Sequence, residues 1–326
     1  MHADLPVIDV ADLASAATLE ALDNACRDWG FFYAVKHGLP DSLTTSLFHE
    51  ARVFFAQSVD AKRTIERTAE NPWGYFDREL TKNTPDWKQT FDFGAPHGAI
   101  APQWPAAMPA FKRTTLAYYA ACERLSFRLL DALATNLRTP VDDLHRSFQP
   151  AHTCFLRINY YPVCPAPARP DGLCLPRHGH LGVNHHTDSG VVTLLLQDDR
   201  PGLEVMHDDA WQLVAPRPGT LVVNIGDILQ VWSNDRYRAA LHRVLASGDT
   251  ERFSVPFFLN PAYFANYAPL PATIDTAHPP RYRSINWGEF RSRRAAGDYA
   301  DHGAEVQITD YRLETRHHDV HPYHAP

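Results

Sequence analysis

Beyond residue 150 the chain breaks into short apolar runs separated by turn residues: FLRINYY, GVVTLLLQ, LEVM, WQLV, TLVVNIGDI, HRVLA and RFSVPFFLN. Each is short for a helix and rich in β-branched or aromatic side chains. Seven such runs in sequence predict antiparallel strands closed into a sandwich or a barrel. Proline, at 26 residues against 16 glycines, falls heavily in this half and favours turns over long helices. No internal repeat is present.

The first half reads differently. LPVID is a short apolar strand, and Leu19, Leu22, Ala25, Cys26 and Trp29 follow helical spacing. Gly30 ends that helix, FFYAV (31–35) is a buried strand, and HGLP is a turn. A second helix runs from Asp41 through Leu47 and Phe54. Residues 70–110 are mostly loop, with one strand near Gln89–Phe93. Residues 111–137 carry the longest helical pattern, and Pro140 lies beyond its end. The fold expected is mainly β with flanking helices.

Composition narrows the function classes. Hydrophobic residues make up 44% of the 326, enough for a sizeable core, and the net charge is -7. A chain this acidic is a poor candidate for nucleic acid or an anionic membrane surface. The start, MHADLPVIDV, has no basic segment leading into an apolar run, and no run reaches membrane-spanning length. The expectation is a cytoplasmic protein, a monomer or weak dimer, whose partner is a small-molecule substrate. Five cysteines with no CxxC fit reduced thiols. Cys154, Cys164 and Cys174 are ten apart, too widely spaced for an ordinary structural zinc site.

Chemistry concentrates at His186-Thr187-Asp188 and His242. In a strand, residues i and i+2 face one side, so His186 and Asp188 can point into one cavity and His185 away from it. A histidine from another strand completes two imidazoles and a carboxylate on one face of a metal. Such a set leaves open positions and suits non-haem Fe(II). Arg252 and Ser254 follow ten and twelve residues after His242. If Ser247–Glu251 closes a hairpin, their strand lies beside that of His242 and on the same face. A buried guanidinium there requires an anion, most naturally a carboxylate. The glycines of PGTLVVNIGD do not make a phosphate loop, since neither a Lys-Ser/Thr pair nor a helix is expected to follow. His178 and His180 are read as solvated loop residues, and Cys164 as structural.

These pieces, with ACRDWGFFYAVKHGLP, DWKQTFDFG, RINYYPVCP, HHTDSGVVTLLLQDDRPGLEV, RFSVPFFLNP and WGEFRSRRAAGDYADHG, span nearly the whole chain. Together they resemble the Fe(II)/2-oxoglutarate-dependent dioxygenase superfamily, in the branch of isopenicillin N synthase and the plant flavonoid and hormone oxygenases. A bacterial member is expected. The resemblance implies a double-stranded β-helix, or jelly-roll, core over 150–262. Residues 1–149 would be a helical and mixed region of the same fold, and 263–326 a C-terminal helix and a His-rich tail. It implies His186, Asp188 and His242 as iron ligands, and no acid–base residue beyond the metal centre. Arg252 and Ser254 would hold the distal carboxylate of 2-oxoglutarate, with Asn159 and Tyr161 contacting the cosubstrate. O2 is the second cosubstrate and ascorbate a reductant.

The activity implied couples oxidative decarboxylation of 2-oxoglutarate, giving succinate and CO2, to hydroxylation, desaturation or cyclisation of a small molecule. One alternative is an ethylene- and succinate-forming enzyme acting on 2-oxoglutarate itself. Another is an isopenicillin N synthase-like oxidase without 2-oxoglutarate, against which the retained Tyr161 argues. Thr90, Asp92, Arg157, Phe258 and Asn260 are implied as pocket walls. Arg157 and Asp92 either meet a polar or zwitterionic group of the substrate, or Arg157 pairs with Asp92 or another carboxylate and helps only to shape the site.

Overall fold

The computed structural model describes residues 4–96, 100–170, 172–173, 176, 178–301 and 303–313. Cys174 and the His-rich tail (316–326) lie outside them. Two sheets face each other. The larger has eight strands, in the order Val7–Asp9, Phe31–Val35, Leu221–Ile225, Val192–Gln197, Arg252–Leu259, Phe155–Tyr161, Gln89–Gly94 and Gly74–Phe76. The smaller has four: Ala210–Leu213, Leu203–His207, His242–Leu245 and Leu181–His186. The jelly-roll core is as expected. The N-terminal region does more than wrap it, because four of its strands belong to the large sheet.

Period-two alternation explains how the large sheet lies. Along Arg252–Leu259, Phe253, Val255, Phe257 and Leu259 enter the core beneath the helices. Leu156 and Ile158, Leu194 and Leu196, Leu221 and Val223, and Phe91 and Phe93 do the same from neighbouring strands. Helix Pro109–Asn136 covers this face with Phe111, Tyr119, Cys122, Leu125, Leu129 and Leu133. Pro109 sits at its first turn, where its missing N–H costs nothing. Tyr119 meets Phe257 edge-on at 5.1 Å and its hydroxyl donates to the Cys154 carbonyl at 3.2 Å. Helix Asp41–Phe55 adds Phe54, stacked on Phe111 at 4.9 Å.

The opposite face looks into the sandwich. Phe31, Tyr33, Val222, Val183, Val205 and Val244 form a smaller apolar plug between the sheets. The remaining inter-sheet space is polar, and it contains the site.

Three expectations are corrected. The strands of His242 and Arg252 are not a hairpin. His242–Leu245 is flanked by Leu203–His207 and Leu181–His186, and Arg252–Leu259 by Phe155–Tyr161 and Val192–Gln197, so neither has a free edge. The intervening loop crosses from one sheet to the other. Ser247 Oγ accepts from the N–H groups of Asp249 and Thr250, and its carbonyl holds the Cys164 N–H at 2.7 Å, which turns the chain across. Secondly, the strand bearing His186 stops there, and Asp188 lies beyond it, its carbonyl accepting from the Asp227 N–H at 2.7 Å. Thirdly, a helix, Asp227–Trp232, does follow the NIG turn. No Lys-Ser/Thr accompanies it, so the phosphate-loop reading still fails.

Candidate active site

His186 and His242 stand directly opposite each other on neighbouring antiparallel strands, their ring centroids 4.3 Å apart. Each ring is oriented by a backbone carbonyl. His186 Nδ1 lies 2.8 Å from the Asn184 oxygen and His242 Nδ1 lies 3.1 Å from that of Ala240. The proton therefore sits on Nδ1, and the Nε2 lone pairs are left to converge. They lie 3.6 and 3.7 Å from Asp188 Oδ1. The other carboxylate oxygen is held by Thr193 Oγ1 and by Asn224 Nδ2, the latter at 2.7 Å. One donor atom from each of the three residues lies within 4.8 Å of the others. Among the described residues this is the one such grouping of three or more His, Cys, Asp or Glu.

The electrostatics agree with a metal-ligating set. Burial, then the adjacent His242, pushes His186 well below the ordinary imidazole value, so it is neutral. Burial works against the Asp188 charge, but His242 and His186 and the bonds from Asn224 and Thr193 hold its pKa below the usual carboxylate value. Two converging Nε2 atoms and one ionised carboxylate oxygen fit a divalent cation such as Fe(II). His185 points elsewhere, and burial with Lys82 and Arg243 nearby brings it down to about 4. His180 is half-buried and lies 4.9 Å from the Trp87 ring, outside the cluster.

Arg252, Ser254, Asn159 and Tyr161 meet on the inner face of the large sheet. Arg252 is register partner to Tyr161, and Ser254 to Asn159. Arg252 is only 3% exposed. Its Nη2 donates to Gln197 Oε1 at 2.8 Å and its Nε to the Arg200 carbonyl at 3.2 Å. Its Nη1 is buried without a partner, as is Asn159 Oδ1. Among the described residues no carboxylate lies within ion-pair distance of Arg252. Ser254 Oγ accepts from Asn159 Nδ2 at 3.3 Å and lies 3.5 Å from the Tyr161 hydroxyl. A buried guanidinium with an unused donor fits an anionic ligand. Gly182 makes room for Tyr161, since a Cβ there would come within 2.8 Å of its ring.

The pocket-wall residues divide. Thr90 is buried beside Asn159 in register, and Phe258 stacks on Phe155 at 4.4 Å. Asn260 is buried next to Gly190. Arg157 is fully engaged: it binds Asp92 in a fork at 2.7 and 2.8 Å, and Glu79 likewise. Arg67 bonds both of those carboxylates from the other side. Of the two readings open for Arg157, the structure contains the pairing.

Thr193 and Asn224 are functional residues that sequence reasoning missed. A signal existed, because each is a polar side chain inside an otherwise apolar strand run. Glu79 and Arg67 gave none, lying in loops whose partners are distant in sequence.

The comparisons with known proteins agree with this architecture. Residues 152–261 match the 2OG-Fe(II) oxygenase superfamily, and residues 5–110 match the non-haem dioxygenase in morphine synthesis N-terminal family. Jasmonate-induced oxygenase 2 of Arabidopsis thaliana is 33% identical over 301 residues, covering 88% of this chain and 78% of that protein. Flavanone 3-dioxygenase 2 of Oryza sativa subsp. japonica is 32% identical, covering 88% and 82%. The crystal structure of JOX2 in complex with 2OG, Fe and JA superposes with a TM-score of 0.80 at 31% identity, covering 94% of this chain and 88% of that one. The chain belongs to the 2-oxoglutarate–Fe(II) oxygenase superfamily. Within it, its kin are the plant flavonoid and hormone oxygenases, and it is a 2-oxoglutarate-dependent dioxygenase acting on small molecules with Fe(II). No helix among the described residues is long and apolar enough to cross a membrane.

Proposed function

We propose that His186, Asp188 and His242 hold the iron, and that Arg252 and Ser254 bind the distal carboxylate of 2-oxoglutarate, with Asn159 and Tyr161 beside it. The observation that carries this is the unpartnered Nη1 of a buried guanidinium. Left without an anion, that cation is costly to bury, so the large sheet is built around a missing negative charge. Iron with 2-oxoglutarate and O2 supplies the oxidising power for hydroxylation, desaturation or cyclisation.

The chain's own residues do the positioning. Asn184 and Ala240 fix the imidazole tautomers through their carbonyls. Thr193 and Asn224 occupy one Asp188 oxygen and leave the other to face the imidazoles. Gln197 and the Arg200 carbonyl aim the guanidinium. Thr90, Asp92, Arg157, Phe258 and Asn260 shape the substrate pocket, Arg157 through its pairing with Asp92. JA, bound by the neighbour JOX2, is a first compound to assay.

The test is an anaerobic titration of the visible Fe(II)–2-oxoglutarate absorption band. Wild type develops the band. Arg252→Lys shifts the titration strongly to higher 2-oxoglutarate while iron binding alone is kept. An unchanged titration overturns the assignment and favours an oxidase that takes its electrons from the substrate.

Residues 1–149, 150–262 and 263–326 act as N-terminal region, catalytic core and C-terminal helix with tail. We read the protein as cytoplasmic, consistent with buried free thiols at Cys26, Cys122, Cys154 and Cys164, and as a monomer or weak dimer. Cell fractionation and size-exclusion chromatography check these. The source proposed is bacterial; a plant nuclear locus overturns it.

A further inference from the structure

Arg67 and Arg157 on the substrate side are neutralised by Glu79 and Asp92. Arg291 is not. It belongs to helix Trp287–Ala296, and its guanidinium lies over the Phe155 ring at 4.8 Å and the Trp287 ring at 5.8 Å. Among the described residues it forms no ion pair; Asp298, whose charge reaches it, lies 3.9 Å from Arg67 instead. Its one hydrogen bond is from Nη1 to the Asn260 side-chain oxygen at 3.1 Å, with that amide in the orientation that satisfies both its ends. A guanidinium carries five N–H donors, so most of the fork is unused. Burial pushes its pKa below the usual arginine value, a sign of charge that its surroundings do not fully offset.

Its place in the fold matters as much as its charge. Three residues on, Arg294 donates to the Thr187 carbonyl at 3.0 Å, which fastens this helix beside Asp188. Residues i and i+3 share a helix face, so Arg291 is presented on the same side. The ring beneath it, Phe155, stacks on Phe258. Phe258 is in turn the register partner of Thr193, which holds Asp188. A part-buried cation, an aromatic platform and the metal-ligating carboxylate thus follow one another along one wall.

We propose that Arg291 binds a carboxylate of the primary substrate, whose apolar or aromatic body lies against Phe155 and Phe258. This rests on the 2-oxoglutarate-dependent reading above and names the substrate class for it: a small monocarboxylic acid. An oxyanion completes the guanidinium fork bidentately. The ring stack takes apolar surface by ordinary hydrophobic burial.

The experiment uses the full chain loaded anaerobically with Fe(II) and 2-oxoglutarate. The probes are phenylacetate, trans-cinnamate and 3-indolepropionate, each beside its primary amide. Probe binding is read from the perturbation of the chelate's visible band. At least one acid should bind, and its amide should bind about ten- to hundredfold more weakly, the range of a lost charge-assisted hydrogen bond. Arg291→Gln should weaken the acid by a similar factor and leave the amide and the 2-oxoglutarate titration where they were. Arg291→Lys should recover part of the acid affinity, which a purely structural role for Arg291 does not predict. Equal binding of acid and amide overturns the proposal, as does an Arg291→Gln variant with unchanged acid affinity, or no binding by any of the three acids. If the chelate band itself fails to form, the cosubstrate assignment falls first and this proposal with it.

Discussion

On its helix-facing side the large sheet carries Phe91, Leu156, Ile158, Leu194, Val223, Val255 and Phe257. On the side facing the small sheet the same strands carry Thr90, Asp92, Arg157, Asn159, Thr193, Asn224, Arg252 and Ser254. The two sets alternate along single strands, so backbone and burial are nearly the same for both. What differs is the task. Each apolar side chain on the first face contributes roughly 1.5–3 kcal/mol by leaving water. The second face holds buried polar atoms, two of which, Arg252 Nη1 and Asn159 Oδ1, have no partner. Folding free energy comes from one face and is consumed on the other, the pattern expected where a sheet is shaped for a ligand.

The comparison can be broken most severely at the iron set. Asp188→Ala or His242→Ala should reduce Fe(II) affinity by more than about a hundredfold, since on the proposed assignment these are direct ligands, and even partners that support a ligand are worth about 10–100-fold. His185→Ala should leave affinity near wild type. Anaerobic Fe(II) titration decides it, and equal losses at His185 erase the distinction between the two sides of that strand.

Next in size is the helix-facing side. Phe257→Ala should destabilise the fold by about 3–5 kcal/mol, visible as a lowered denaturation midpoint. Five positions earlier on the same strand, on the inner face, the balance changes. Arg252→Lys should cost about 1.5–3 kcal/mol in 2-oxoglutarate binding. Ser254→Ala should cost about 1 kcal/mol in the same titration. The smallest effect is on stability. Arg252→Met should change the unfolding free energy of the ligand-free protein by less than about 1 kcal/mol, because removing a buried charge that has no ion-pair partner among the described residues offsets the lost bonds to Gln197 and Arg200. A loss as large as that of Phe257→Ala shows that Arg252 serves the fold.

How much was legible follows from the same division. The strands 31–35 and 155–161 stand where their apolar alternation places them. Helix Pro109–Asn136 departs from the expected 111–137 only at its ends. Period and length are local properties. That His186, Asp188 and His242 meet, and that Arg252 and Ser254 meet Tyr161 and Asn159, was legible because HxD and RxS are dense in chemistry and the resemblance fixed their order. The crossover at Ser247–Glu251 was not, because a five-residue loop suits a hairpin and a sheet switch equally. Which occurs depends on strands that fill the edges from elsewhere in the chain. Of the Glu79–Arg157–Asp92–Arg67 cluster, the Arg157–Asp92 pairing was one of two open readings, while Glu79 and Arg67 were invisible for a similar reason: they lie in loops, and no spacing announces them. Arg291 was within the quoted C-terminal segment, yet its lack of an ion pair among the described residues emerges only when the folded chain brings Arg67 and Arg157, and not Arg291, onto Glu79 and Asp92.

The crossover also has a mechanical meaning. His186 and His242 hang from the small sheet, while Asp188 is gripped by Thr193 and Asn224 of the large one. An ion seated among them is a rivet through two plates. Arg252, across the ten-residue step from His242, belongs to the second plate alone. On the proposed assignment the metal and its organic cosubstrate fasten the sandwich together at its polar end, beside the apolar plug, whose Phe31 ring meets His242 edge-on at 5.3 Å.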